Sequence, residues 1–246
     1  MKTRLKASLV FTFILFNFMS QITTLTILTY KGFIDKFWAL SMMQFGHKYM
    51  KSVKGQSFYK LMGSGKDNFN PFPDWGVYAV LQVWDDRSFA DQFFEEHKLS
   101  HLYQKHAAKM EVLYMDSIQA KGLWNGGNPF ESTLSQNDLK NEDKIAVITR
   151  ASIKTSMLFT FWKYVPESQQ PLKNAKGLVY TKGFGELPFV EMATFSLWNS
   201  LEDLHAFAYQ SHEHIKAIQK TRTLDWYSEE MFSRFRLNEK VVLKSS

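Results

Sequence analysis

The same order of strand-like and helix-like segments occurs twice along this chain of 246 residues, and the repeat limits the folds that are open to it. In each half a β-branched run precedes a helical pattern, two further strand-like runs, a second helical pattern and a last run. Gly63-Ser64-Gly65 and Gly183-Phe184-Gly185 occupy matching places, and we expect both to form turns. Trp84 and Trp198 match in the same way, so the ferredoxin-like order βαββαβ is present in duplicate.

A ferredoxin-like sheet carries helices on one face, so its other face stays apolar until something packs on it. We therefore expect an α+β fold in which duplicated ferredoxin-like βαββαβ units pack sheet to sheet, resembling a dimeric α/β barrel, with a lined cavity between the sheets. The predicted halves are residues 21–124 and 144–246, joined by a linker at 125–143. The alternative is two independent domains on either side of that polar linker.

Residues 1–20 form an extension before the first predicted strand. Three basic residues precede the apolar run Leu9–Met19, as in a signal peptide. However, no small-x-small cleavage site follows, and the run is shorter than the roughly 20 residues that a helix needs to span a bilayer. The interpretations left open are a mis-called start with translation from Met19, a signal or anchor segment, and an integral part of the fold.

The amino-acid composition limits the cofactors and partners that the chain can have. The chain has no cysteine, which excludes disulfides, iron–sulfur clusters and thiolate-ligated haem, and leaves seven histidines as the usual nitrogen ligands. Aromatic residues make up 16% of the chain, which suits a pocket for an apolar ligand. The net charge is +6, but no basic run alternates with stacking aromatics, so nucleic acid is not an expected partner.

A set of segments in a fixed order and spacing carries a family resemblance. The segments are Leu61–Gly65, Phe69–Trp75, Val77–Leu81, Trp84–Asp86, Ile148–Ile153, Gly183–Pro188, Thr194–Trp198, Ala206–Tyr209, His214 with Ala217-Ile218, and Trp226–Phe235. Together they resemble the spheroidene monooxygenase family over roughly residues 23–236. The chain departs from the family pattern at Ser152 and Phe184, where we expect threonine and isoleucine.

The resemblance implies a haem-containing carotenoid monooxygenase. Such an enzyme would introduce a hydroxy or keto group at C2 of an acyclic carotenoid such as spheroidene, using O₂ and electrons from reduced ferredoxin. Because a carotenoid is dissolved in lipid, we expect a cytoplasmic protein in peripheral contact with a membrane, with an apolar mouth for the chain end. The alternatives are a cofactor-free carotenoid or lipid carrier, and a barrel haem enzyme of dehydratase or peroxidase type.

Four residues are candidates for the site. A predicted helix carries His212 and His214 on the flanks of its sheet-facing stripe, and the resemblance favours His214 as the ligand of the haem iron, with His212 as the alternative. Either could equally be an ordinary helix residue. If its side of the predicted strand faces the cavity, Arg150 needs an anion there, which would be a group of the haem site or Glu186; the alternative is an ordinary salt bridge between elements. Glu186 follows the second glycine pair, where it caps a turn or relays protons.

Overall fold

Eight antiparallel strands and six helices make up the part of the chain that the computed structural model describes, which is residues 20–67, 70–169, 172, 175–210 and 225–245. The strands are β1 (Ile22–Thr29), β2 (Gln56–Lys66), β3 (Asn70–Trp84), β4 (Lys109–Gly122), β5 (Ile145–Ile153), β6 (Leu178–Leu187), β7 (Glu191–Trp198) and β8 (Tyr227–Ser245). The helices are α1 (Phe33–Phe45), α2 (His47–Met50), α3 (Arg87–Glu96), α4 (Lys98–His106), α5 (Leu158–Gln169) and α6 (Leu201–Gln210).

The strands close into one barrel in the order β1-β3-β2-β6-β7-β5-β8-β4. The first half contributes β4-β1-β3-β2 and the second contributes β8-β5-β7-β6, so both halves have the same strand order. The predicted barrel is confirmed, but the expectation of two separate sheets packed face to face is wrong. The halves instead join edge to edge at β2–β6 and β4–β8, because closure pairs the backbone groups that an open sheet edge would leave exposed. The origin of the halves by duplication, and their boundaries, stay predictions.

The two glycine pairs meet where β2 joins β6. Gly63 pairs with Gly185 and Ser64 pairs with Phe184, so both motifs lie within strands and the prediction of turns is wrong. The strands come so close to their neighbours here that a Cβ atom on Gly185 would lie 2.8 Å from the carbonyl oxygen of Glu191. Glycine is used inside a strand at such close approaches and at bulges, and both strands shift register at this seam.

The interior of the barrel, where we expected a lined cavity, is occupied by large apolar side chains. They come from strands of both halves and from the loop after β4, and they include Leu25, Met62, Leu81, Phe130, Phe195 and Phe235. An eight-stranded barrel has an interior just wide enough for such side chains to fill. A ligand site is therefore expected at an end of the barrel, in its wall or on its outer face.

The outer layers of the two halves differ. On the first half, α1, α3 and α4 cover the sheet, and Thr26 in the middle of β1 is 2% exposed. On the second half, α6 packs Phe207 against Trp198 at 5.1 Å between ring centroids. Thr149 of β5 has the same register position as Thr26, four residues after the residue that pairs with the matching tryptophan, yet it is exposed. None of the helices in the described ranges is long and apolar enough to cross a bilayer.

Candidate functional site

Trp124, in the loop after β4, is the centre of a polar cluster at one end of the barrel. Its side chain is buried, and its indole N–H donates to a carboxylate oxygen of Glu186 at 2.7 Å. Its ring packs edge-to-face against Phe58 at 5.6 Å. The loop turns sharply after it, because Asn125 and Gly126 both have positive φ and the Trp124 N–H donates to the carbonyl of Gly127. The turn holds the indole in place.

Lys60 of β2 forms an ion pair with Glu186 of β6 across the seam between the halves. Both side chains are largely buried, and the Lys60 ammonium lies 5.9 Å from the centroid of the Trp124 ring. Glu186 therefore does not cap a turn, since its two oxygens contact Lys60 and the indole of Trp124. The carboxylate thus links the first half of the barrel to the second and to the loop that carries Trp124.

Arg150 is 2% exposed and pairs with Glu229 of β8, with Glu191 of β7 as a second carboxylate 3.7 Å away. Glu229 also accepts the backbone N–H groups of Asn125 and Gly126 at 2.9 and 2.7 Å. Burial alone would raise the pKa of Glu229, but these N–H groups and the Arg150 charge outweigh it, so the pKa lies below its ordinary value. The carboxylate thus stays charged and ties the turn after Trp124 to β8.

Arg150 and Glu186, the two catalytic candidates from the sequence, therefore lie in the same cluster around Trp124. They form ion pairs with different residues, Glu229 and Lys60. The guanidinium of Arg150 lies 5.8 Å from the centroid of the Trp124 ring, a distance at which cation–π attraction operates. Glu186 was one of the anions predicted to pair with Arg150. In the described structure the carboxylates beside Arg150 are instead those of Glu229 and Glu191.

An open groove of about 940 Å³ leads to this cluster through the wall of the barrel. The paired positions of β2 and β6 end at Gly63, and the groove lies along the part of β2 beyond them, at 57–61. Leu40 and Met43 of α1 form its apolar side, while Lys60, Glu186 and Trp124 lie among its lining residues. The groove therefore connects the outer surface beside α1 with the charged cluster.

His47 and Tyr59 add a polar contact to the groove that sequence reasoning missed. The His47 ring nitrogen Nδ1 lies 3.2 Å from the Tyr59 hydroxyl, and both residues line the groove. Lys60, Trp124 and Glu229 were missed as well. Lys60 could have been found, because it stands on the same side of an alternating strand as apolar residues; the loop position of Trp124 carried no such signal.

The predicted haem ligands His212 and His214 lie outside the described residues. Helix α6 ends at Gln210, shortly before them in the chain, and its described part covers the outer face of the second half. Within the described ranges no group of three or more His, Asp or Glu side chains could hold a bare metal ion. A haem needs only one protein ligand, and the two histidines predicted for that role follow α6 in the chain.

The fold and the site place this protein among the α+β barrel proteins. Its candidate site is a groove in the barrel wall with the ion pairs Lys60–Glu186 and Arg150–Glu229 at its inner end. Two solved structures of aldoxime dehydratase share the fold. One has a TM-score of 0.58 and 11% identity, covering 91% of this chain and 84% of its own. The other, in complex with butyraldoxime, has a TM-score of 0.59 and 9% identity, covering 90% and 80%. At these identities the likeness concerns the fold alone.

Curated relatives identify the family. Spheroidene monooxygenase of Rhodobacter capsulatus is 31% identical over 217 residues, covering 88% of this chain and 90% of the relative. The protein of the same name from Cereibacter sphaeroides is 31% identical over 219 residues, covering 88% of this chain and 67% of the relative. No protein-family model matches the chain. The chain belongs to the spheroidene monooxygenase family, which confirms the resemblance seen in its segments.

Proposed function

We propose that this protein is a carotenoid monooxygenase that introduces a hydroxy or keto group at C2 of an acyclic carotenoid such as spheroidene. The observation that carries the proposal is the family membership, with 31% identity to a spheroidene monooxygenase over 88% of the chain. The groove in the barrel wall supports it, since its volume of about 940 Å³ lies within the usual range for small-molecule sites.

The groove suits the end of a long apolar chain better than a whole ligand. Leu40, Met43 and Phe58 supply apolar contacts, and the groove is open along its length. Transfer of a CH₂ group from water to an apolar site gains about 0.8 kcal/mol, but a carotenoid in lipid has already made that gain. The protein therefore binds the chain end and leaves the rest in the membrane, with which it makes peripheral contact from the cytoplasm.

Glu186 is the proposed catalytic residue of the groove. Its carboxylate stands among the lining residues, and Lys60 and the Trp124 indole fix both of its oxygens. From that position it accepts a proton from, or returns one to, a group at the end of the groove. Arg150 is a positioning residue that does not contact the substrate. It is buried against Glu229, and Glu229 in turn holds the backbone of the turn after Trp124.

Haem is the proposed cofactor, with His214 as its axial ligand and His212 as the alternative, and reduced ferredoxin as the electron donor. When bound, haem supplies an iron centre for the activation of O₂. Because the chain has no cysteine, a haem ligand from this protein must come from a residue such as histidine.

The proposal is tested by expressing the full chain with a ferredoxin system in cells that make acyclic carotenes. We expect pigments that have gained one oxygen atom, or a keto oxygen in place of two hydrogens, and a Soret band that is lost in His214→Ala. Unchanged pigment in a haem-loaded protein with electrons supplied would overturn the oxygenase. Folded, colourless protein from haem-replete cells would favour a cofactor-free carrier.

The role of Glu186 is tested with Glu186→Gln against Glu230→Gln, a neutralised carboxylate exposed on β8. We expect Glu186→Gln to lower pigment turnover by about 100-fold or more, in line with the loss of a general acid or base, while the Soret band stays. Glu230→Gln should leave turnover unchanged. Equal turnover in both variants would remove Glu186 from the chemistry.

A further inference from the structure

Helix α1 presents a row of large apolar side chains to solvent. Phe33 is 84% exposed and Phe37 is 65% exposed, with Ile34 and Leu40 exposed between and beyond them. The opposite side of the helix buries Ala39 and Met42 against the first half of the barrel. A helix that is apolar on both sides normally lies between two apolar phases, and here the barrel supplies only one of them.

The tip of the β2–β3 hairpin extends this apolar surface. Trp75 and Phe72 are both exposed on it. Gly76, next to Trp75, accepts a hydrogen bond from the Tyr30 N–H at 2.7 Å, three residues before α1 begins. Trp75 therefore stands beside the start of the helix, and Phe72 lies three residues before it on the same strand. We call α1 together with Phe72 and Trp75 the α1 face.

The α1 face is bordered by positive charge. The segment 31–54 contains five lysines and one aspartate, a formal charge of +4. Lys31 lies before the helix, and Lys48, Lys51 and Lys54 lie after it, all four exposed. The aspartate, Asp35, is paired with His106. Acidic groups are near as well, since the exposed Asp67 and the half-buried Asp74 lie on the hairpin, where both pair with Lys182.

We infer that the α1 face docks on an anionic lipid surface and delivers the end of a membrane-dissolved substrate to the groove, an inference that rests on the proposed function. Phenylalanine and tryptophan enter the boundary between headgroups and acyl chains, and lysines beside them are attracted to anionic headgroups. Leu40 belongs both to the α1 face and to the groove lining, so the path from lipid to groove is continuous.

A second copy of the chain is a poorer occupant of this surface. In a two-fold symmetric dimer the same patch is present on both sides, so two segments of formal charge +4 would be brought together. Repulsion between like charges opposes that contact, whereas an anionic membrane neutralises them. The charge of the border thus favours lipid.

The test is flotation of the full-length protein with vesicles of phosphatidylcholine, with and without phosphatidylglycerol, in the absence of pigment. We expect binding to the anionic vesicles, weakened about tenfold or more by Phe33→Ser with Phe37→Ser, because two large apolar groups no longer enter the lipid. Phe159→Ser is the matched control, since Phe159 is 88% exposed on α5. Lys48→Gln with Lys51→Gln should weaken binding to anionic vesicles about tenfold and leave binding to neutral ones unchanged.

Three results would overturn the inference: no vesicle binding, equal loss in the α1 and Phe159 variants, or a wild-type dimer that Phe33→Ser with Phe37→Ser converts to monomer. Circular dichroism confirms that the variants fold, and Ile34→Ser is a milder substitution on the same face. Conversion of detergent-dissolved pigment separates the two proposals. Vesicle binding without conversion contradicts the oxygenase alone, and conversion with unaltered binding of the α1 variants contradicts the docking surface alone.

Discussion

Trp124 lies within cation–π distance of two buried cations, Lys60 and Arg150, and each cation has a carboxylate of its own. Removing these charges from water is costly, so the ion pairs contribute less to stability than their geometry suggests. Arg150 could be singled out from the sequence because it is a charge on the inward side of an alternating strand. Its partner Glu229 could not, because 79 positions separate them and only the barrel register brings them together.

Removal of the Glu229 charge should be more harmful than removal of the whole ion pair. We expect Glu229→Gln to lower the free energy of unfolding by about 2 kcal/mol, because Arg150 keeps only the more distant Glu191. Arg150→Met combined with Glu229→Gln should recover part of that loss. Urea titration measures both, with Glu230→Gln as the exposed control. A double variant no more stable than Glu229→Gln alone would contradict the argument.

The same carboxylate should contribute to acid sensitivity. The folded-state pKa of Glu229 lies below its ordinary value of 4.5, so its stabilising contribution is complete above that pH and is lost as the pH falls through the folded value. We expect the difference in unfolding free energy between wild type and Glu229→Gln to shrink steadily below about pH 4.5. Denaturant titrations at a series of pH values measure this difference, and a gap that widens towards acid would show the sign to be wrong.

At the scale of elements, β2 and β6 show what periodicity can and cannot predict. The alternating and helical patterns located most strands and helices in their correct order. They did not show that the two glycine motifs pair with each other, because a glycine needed for a turn and one needed for a close approach between strands look alike in sequence. Edge-to-edge closure also went unpredicted, since it depends on contacts between halves rather than on local pattern.

The two glycines of the seam should respond differently to the same substitution. In Gly185→Ala the new Cβ atom would lie 2.8 Å from the Glu191 carbonyl oxygen, so we expect a loss of about 1–3 kcal/mol. Gly63, its partner, has no atom within 4 Å of the corresponding position. Gly63→Ala should leave stability unchanged or raise it by up to about 1 kcal/mol. Thermal unfolding compares the two variants, and equal losses would mean that the approach of β7 to Gly185 does not impose the restriction.

At the scale of the whole molecule, the two halves share a strand order but differ in how their outer faces are covered. Thr26 and Thr149 occupy the same register position, yet the first is buried and the second exposed. The sequence predicts the shared order, because hydrophobic periodicity is local. It does not predict the difference, which depends on how the helices of each half pack on the sheet.

Replacement of these two threonines by valine should therefore give different results. The hydroxyl of Thr26 is buried and has no hydrogen-bond partner, so we expect Thr26→Val to raise the free energy of unfolding by about 1 kcal/mol. Thr149→Val, on an exposed surface, should change it by less than about 0.5 kcal/mol. Denaturant titration of both variants provides the measurement; a destabilised Thr26→Val would point to an unseen partner for the hydroxyl.

Strand β8 pairs with β5 over residues 227–236 and with β4 over residues 231–245, and its 19 residues come last among the eight strands in the described chain. During synthesis, β4 and β5 therefore leave the ribosome before their common neighbour exists. The barrel cannot close until β8 has been synthesised, and a nascent chain that stops earlier presents two unprotected strand edges. Closure of the barrel is consequently a late step of folding, in which one segment locks both halves together.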